Sequence, residues 1–319
     1  MSGKSYQSSL FDSQEQKPKK YVPELDKLYA EVGSFRKSKD YMDLLKFIKK
    51  FPKIAPYNAM LVRIQRPGSE FVASASEWEK LYIRKMNPGA MPLIILQMFG
   101  PVGFVFELGD TYGPNPFPKE ILDPYGVVGE VSEKMYQATI ENMKNDRIIY
   151  SEAKYGIEMA GRICSVSDKE LTRKYINIEH ISKARYEMVV NSQHTPTTRF
   201  ATMLHELGHL YCGHIGTPNS KWWKDRRRFN LSLESMEFEA ESVCWLICGR
   251  LGIENPSAEY LEGYTKANGE IPDVSVDTIL KATGSIESLI KGNVMPHRNK
   301  VEKKIQKDPY HEIIVEVDD

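Results

Sequence analysis

The stretch "TMLHELGHLYCGH", from Thr202 to His214, limits the possible folds more than any other part of the chain. Its apolar residues recur at helical spacing, yet His205, Glu206 and His209 stand inside it in the pattern HExxH. Residues i and i+4 of an α-helix lie one turn apart on the same face, so the two imidazoles can converge on one ion. Glu206 falls beside that face. This offset suits a carboxylate that does not bind the metal but reaches a water as a general base. The bland alternative is a helix whose two histidines are merely packed or solvated.

Two neutral imidazoles leave most of a divalent ion's charge uncompensated. A catalytic zinc site therefore wants a third protein ligand, here an anion, and one open position. The stretch "LESMEFEAESVCWLICGRLG" answers this with Glu234, Glu237, Glu239 and Glu241 in the first turns of an otherwise apolar helix. Glu237 is the expected ligand, because Glu241 then lies one turn further on the same face and can accept from the far nitrogen of a ligand histidine. Ala240 is small and would let the two helices approach closely. Glu234 and Glu239 project elsewhere and are expected to be solvent-exposed charges that favour the helix dipole. His214 follows the expected helix end at Gly213 and is assigned a surface or capping role.

Zinc in such a site lowers the pKa of water toward about 7 and polarises a carbonyl, while Glu206 moves the proton to the leaving amine. The expected reaction is peptide-bond hydrolysis. Candidates for stabilising the developing oxyanion are His194, Tyr260 and Tyr264, each with an ordinary packing or surface role as the alternative.

The 319 residues allow one large domain or two unequal ones. Residues 1–20 are polar and read as a flexible tail. Residues 21–110 read as a smaller α+β domain, with two or three helices between Val22 and Ile64 and a buried hairpin made of Leu93 to Phe99 and Val102 to Leu108. Gly, Pro, Asp and Asn concentrate from Gly109 to Gly126, so a linker is expected over 111–126. Residues 127–299 form the expected metal-bearing domain. It opens with a helix near Ser132 to Asn145 and continues through the strand-like runs "RIIYSEA", "GRICSV" and "YEMVVNS". A helix follows from Pro196, capped by Thr195, then one over about Leu233 to Leu251, and shorter ones near Ala258 to Ala267 and Val276 to Ile290. Residues 300–319 are a charged tail in which "HEIIVEV" could add an edge strand.

Lysine plus arginine and aspartate plus glutamate both number 43, which argues against a polyanion-binding protein overall. From Lys17 to Lys85, however, basic residues outnumber acidic ones by 16 to 8, with Tyr21, Tyr29, Phe35, Tyr41, Phe47, Tyr57, Phe71 and Trp78 interspersed. Two readings fit this segment: a surface for single-stranded DNA, or a helical domain with a solvated basic surface and aromatics in its core. The first residues lack the apolar segment of a signal peptide, and no run of eighteen apolar residues occurs, so a cytoplasmic protein without a membrane partner is expected. Cys164, Cys212, Cys244 and Cys248 are expected to be reduced. The latter three could be imagined in a second metal site but read more simply as small core residues.

The helices "FATMLHELGHLYCGHIG" and "EFEAESVCWLICGRLGI" resemble the ImmA/IrrE family of zinc metallopeptidases. That resemblance covers roughly Tyr186 to Leu251. It implies an α+β, zincin-like metallopeptidase domain, in which a small sheet packs on the HExxH helix and on a second, glutamate-bearing helix. It also implies Zn2+ held by His205, His209 and Glu237, with Glu206 as the base, and limited proteolysis of a regulatory protein such as a transcriptional repressor. A wider likeness, from "PYNAMLVRIQ" and "ASEWEKL" through the metal motif to "SAEYLEGYTKANGEIPDVSVDTILKATGSIESLI", is to ArdC-type antirestriction proteins. These join an N-terminal DNA-binding domain to such a peptidase domain, which implies an alternative role in DNA binding or antirestriction with a structural or vestigial metal site.

Overall fold

A computed structural model describes residues 38–97, 102–118, 129–155, 159–166, 184–216, 227–228, 230–253, 261 and 270–293. The expectations for both tails, for the helix over Ala258 to Ala267, and for Tyr260 and Tyr264 lie outside the described residues or nearly so, with Leu261 alone described in that stretch. Helices and small sheets mix along the chain, as an α+β class requires.

Helices α1 (Ser38–Lys49) and α2 (Pro56–Gln65) come first, followed by β1 (Val72–Ala73) and α3 (Ala75–Lys80). Next come β2 (Lys85–Met86), β3 (Leu93–Ile95), β4 (Gly103–Glu107) and β5 (Thr111–Tyr112). Strand β4 pairs antiparallel with β1 on one side and β3 on the other, and β2 pairs with β5. Two expectations are corrected here. The β3–β4 hairpin buries only one face: Ile94 and Phe104, which are paired across the strands, are 46% and 54% exposed because nothing among the described residues covers that side. The expected linker is not all linker, since Thr111 and Tyr112 are held in β5 by Lys85 and Met86.

The outer backbone edge of β3 is satisfied without another strand. Asn58 and Gln65, two turns apart on α2, each use their carboxamide twice: Asn58 bonds the Leu96 amide and carbonyl at 3.0 Å, and Gln65 bonds those of Ile94 at 2.8 Å. Side chains thus do what a neighbouring strand would do for an otherwise open edge.

The second half begins with α4 (Glu133–Met143), capped by Ser132, and a three-stranded sheet of β6 (Ile148–Ala153), β7 (Gly161–Ser165) and β8 (Tyr186–Asn191). Central β8 runs parallel to β6 and antiparallel to β7, and every one of its residues is buried. The run "YEMVVN" is therefore mostly apolar rather than alternating, as a strand covered on both faces must be. Against this sheet lies α5 (Pro196–Tyr211), with α6 (Leu233–Leu251) and α7 (Val276–Ile290) beyond it. The strand runs and helix starts read from the sequence fall where expected. The Thr195 hydroxyl accepts from the Thr198 amide at the start of α5, and Ser232 caps α6 in the same way.

One apolar cluster runs from Tyr41, Leu44 and Ile48 on α1 through Met188 and Val190 on β8 to Leu204, Leu246 and Ile286 on the later helices. Helices α1 and α2 therefore share the core of the residues beyond Gly126. Buried Arg250 on α6 ties them together. Its guanidinium donates to the carbonyls of Ile48, Phe51 and Ile54 at 3.1, 2.8 and 2.7 Å, and its Nε donates to Glu287 on α7 at 2.6 Å. A separate aromatic cluster of Phe71, Trp78, Tyr82 and Phe117 supports the small sheets. Of the aromatics in the basic N-terminal segment, Tyr41, Phe47, Phe71 and Trp78 are thus core residues and Tyr57 is half-buried, which leaves those four rings unavailable for stacking on bases. Among the described residues no helix is long and apolar enough to cross a membrane.

Candidate metal centre

Helices α5 and α6 meet where both have given up side-chain bulk. A Cβ on Gly208 would stand 3.0 Å from the Cα and the carbonyl oxygen of Ala240, tighter than most side-chain contacts, so glycine is what lets the backbones come this close without a neighbour giving way. Ala240 was expected to permit this approach, and Gly208 is its partner. Close contact at this point brings the side chains one residue and one turn away into a common space.

Three atoms converge there. His205 Nε2 and His209 Nε2 lie 3.1 Å apart, and Glu237 Oε2 is 3.3 Å from the first and 3.6 Å from the second. These spacings can be compared with a zinc tetrahedron. Bonds near 2.0–2.1 Å to nitrogen or oxygen give ligand–ligand edges of about 3.3 Å, so the three atoms already stand at the corners of one such figure. The donor set of two imidazoles and a carboxylate suits zinc, and the residues fit a metal ion.

Electrostatics point the same way. Burial alone would favour the neutral His205 ring, but Glu237 and Glu241 at its two nitrogens outweigh it and push the group up to about 10 before any metal binds. His209 goes down instead, chiefly through burial, with neighbouring His205 and His214 acting in the same direction against Glu237. Hydrogen bonds with His205 and His209 hold the Glu237 carboxyl well below the usual carboxylate range. The site is thus an anion facing two imidazoles, of which one is charged and can be exchanged for a cation.

Glu206 lines the same cleft, which has a volume of about 810 Å³ and is also bordered by Ile163 of β7, His194, Ile215 and Met236. Burial raises the Glu206 pKa and nearby Glu237 adds to this, while His205 and the Ile163 backbone oppose it. A carboxylate with raised basicity beside the triangle of His205, His209 and Glu237 is equipped to take a proton from water. Glu241 lies 2.9 Å from His205 Nδ1. The loop before α5 brings His194 to the cleft, where its buried Nδ1 has no hydrogen-bond partner among the described residues.

Two expectations fail here. Glu239 is not a solvated charge at the helix start but is fully buried, held by His214 at 3.0 Å, by Arg228, and by the Ser275 amide at 2.8 Å. His214 is not a surface residue: its side chain is 2% exposed and its Nδ1 lies 2.9 Å from His209 Nδ1. The reason is the shape of the helix end. Gly213, at φ 80°, reverses the chain after Cys212, so that the His214 amide donates to the His209 carbonyl at 3.0 Å and the Gly213 amide to that of Leu210 at 3.2 Å. In this pair of bonds, known as a Schellman motif, the residue after the glycine folds back against the one five positions earlier. The spacing His-x-x-x-Gly-His carried that signal. Glu234, by contrast, is exposed as expected.

Residues 162–247, which run from β7 through α5 into α6, match the model of a peptidase family described as the IrrE N-terminal-like domain. That span contains His205, Glu206, His209 and Glu237, and it overlaps the resemblance read from the two helices over most of its length. Among solved structures, the chain matches the antirestriction protein ArdC from the R388 plasmid in its metal-free structure. Identity is 12%, coverage is 79% of this chain and 84% of that one, and the TM-score is 0.31. No curated protein matches the sequence.

Proposed function

We propose that this protein is a zinc-dependent metallopeptidase of zincin-like arrangement that cuts a peptide bond in a regulatory protein. The observation that carries the reading is the triangle of His205, His209 and Glu237 with Glu206 beside it. The match of residues 162–247 to a peptidase family model supports it.

His205 and His209 would hold the ion through Nε2 and Glu237 through Oε2. Zinc, when bound, supplies Lewis acidity toward a scissile carbonyl and toward water. The chain supplies the rest. Among the described residues β7 pairs only with β8, and as that edge beside the cleft it would offer backbone donors and acceptors to an extended peptide laid along it. Glu206 accepts the proton of the attacking water at its carboxylate and returns it to the nitrogen of the departing amine. Its raised pKa makes it the stronger base for the first half of that transfer. His194, which borders the cleft, is the candidate donor to the oxygen that becomes negative as water adds.

Glu206→Gln tests this. The variant removes the base without touching a ligand, so it should bind zinc like the wild type, cleave nothing, and retain bound substrate long enough for capture. A Glu206→Gln protein that cleaves as fast as the wild type ends the peptidase reading.

A further inference from the structure

We infer that His214 is a positioning residue of the metal centre: as a neutral imidazole it accepts from His209 Nδ1–H and donates from its own Nε2–H to Glu239, fixing His209 as an Nε2 ligand. This inference rests on the metal-centre reading and extends it to a residue five positions beyond the second histidine.

A neutral imidazole has one N–H and one lone pair. If His209 gives the lone pair of Nε2 to a metal, its proton must sit on Nδ1. That nitrogen faces His214 Nδ1 at 2.9 Å, with the rings steeply inclined at 68°, so His214 Nδ1 has to be the bare acceptor. The proton of His214 is then on Nε2, 3.0 Å from Glu239 Oε2, which accepts it. At zero exposure the Glu239 oxygens are also held by the Arg228 guanidinium and the Ser275 amide. Each step has a single consistent assignment. The two ligand histidines are therefore supported differently. His205 meets the Glu241 carboxylate directly, while His209 meets a carboxylate through an intervening ring.

A second metal ion is the competing use of these residues, since ligand atoms of Cys212, His214 and Glu239 lie within 4.8 Å of one another. Arg228 argues against it. Its fixed positive charge is bonded to the same Glu239 carboxylate that a cation would need, and both nitrogens of His214 already have partners.

Two variants and one spectrum decide the matter on the full chain. His214→Phe keeps a planar ring of similar size but neither accepts nor donates, whereas the carboxamide of His214→Gln can do both. Zinc affinity, measured by competition with a chelator, should fall about 10- to 100-fold in the Phe variant. In the Gln variant it should stay within a few-fold of the wild type. In the zinc-loaded wild type, nitrogen NMR of labelled histidine should show His214 protonated at Nε2 and bare at Nδ1, a readout that stands even if the Phe variant does not fold. Equal affinities in all three proteins, a Gln variant weaker than the Phe variant, or a His214 protonated at Nδ1 would overturn the inference. So would two zinc ions per wild-type chain that become one in both variants. A wild type that binds no zinc would instead remove the metal centre itself.

Discussion

Gly208 on α5 and Ala240 on α6 are in backbone contact, and this contact sets the distance between the helix that carries His205 and His209 and the helix that carries Glu237. A methyl group added at Gly208 crowds the Ala240 backbone, and the expected response is that the helices move apart by a few tenths of an ångström. Gly208→Ala should lower stability by about 1–3 kcal/mol, the usual cost of overpacking, even though alanine is the better helix former. Because Glu237 would retreat from His205 and His209, zinc affinity should fall as well. Denaturant unfolding and chelator competition on the same variant check both effects. An unchanged affinity would show that helix separation does not control the site.

Proton release should accompany metal binding. The folded protein without metal holds a proton on His205, whose pKa is raised from 6.5 to about 10, whereas a ligand imidazole must give that proton up. Calorimetry in two buffers of different ionisation enthalpy should therefore report about one proton released per ion near neutral pH. Apparent affinity should rise about tenfold per pH unit up to about 10 and then level off. The sign for stability is opposite. A raised pKa in the fold means that the His205 contribution to metal-free stability is full below about 6.5 and is lost as pH rises through about 10.

Arg250 should be the costliest polar residue to replace in the core. Arg250→Leu removes donors from the carbonyls of Ile48, Phe51 and Ile54 and leaves the Glu287 carboxylate buried without its cation. The expected loss is about 3–5 kcal/mol by equilibrium unfolding, as for other broken buried pairs. Arg250→Leu combined with Glu287→Leu should recover part of it. A single variant as stable as the wild type would mean that α1 is not fastened to α6 and α7 through this residue.

Most of the site could be read from residue spacing, and the reason is geometric. His205, Glu206 and His209 sit on one helix, where i and i+4 fix the face, and Glu237 and Glu241 repeat that relation on the next. Helix starts were legible too, since Thr195, Ser132 and Ser232 are local caps. Relations that depend on a third element were missed. Glu239 looks like any exposed helix-start glutamate until Arg228 and the Ser275 amide surround it, and neither is near it in sequence. A surface role for His214 assumes that a chain past a glycine leaves the helix, whereas the reversal at Gly213 returns it to His209. Likewise, the aromatics of the basic segment sit among lysines in sequence, yet Tyr41 on α1 faces α6, where it bonds Ser242 at 2.8 Å, and Phe71 and Trp78 pack in the separate cluster that supports the small sheets.

Anomalous diffraction at the zinc edge, on crystals of the full chain grown with zinc, tests the central claim most directly. One peak is predicted, bonded to His205 Nε2, His209 Nε2 and a Glu237 oxygen at about 2.0–2.2 Å, with Glu206 close by but outside bonding distance. A peak elsewhere, or none at full zinc loading, would contradict the account.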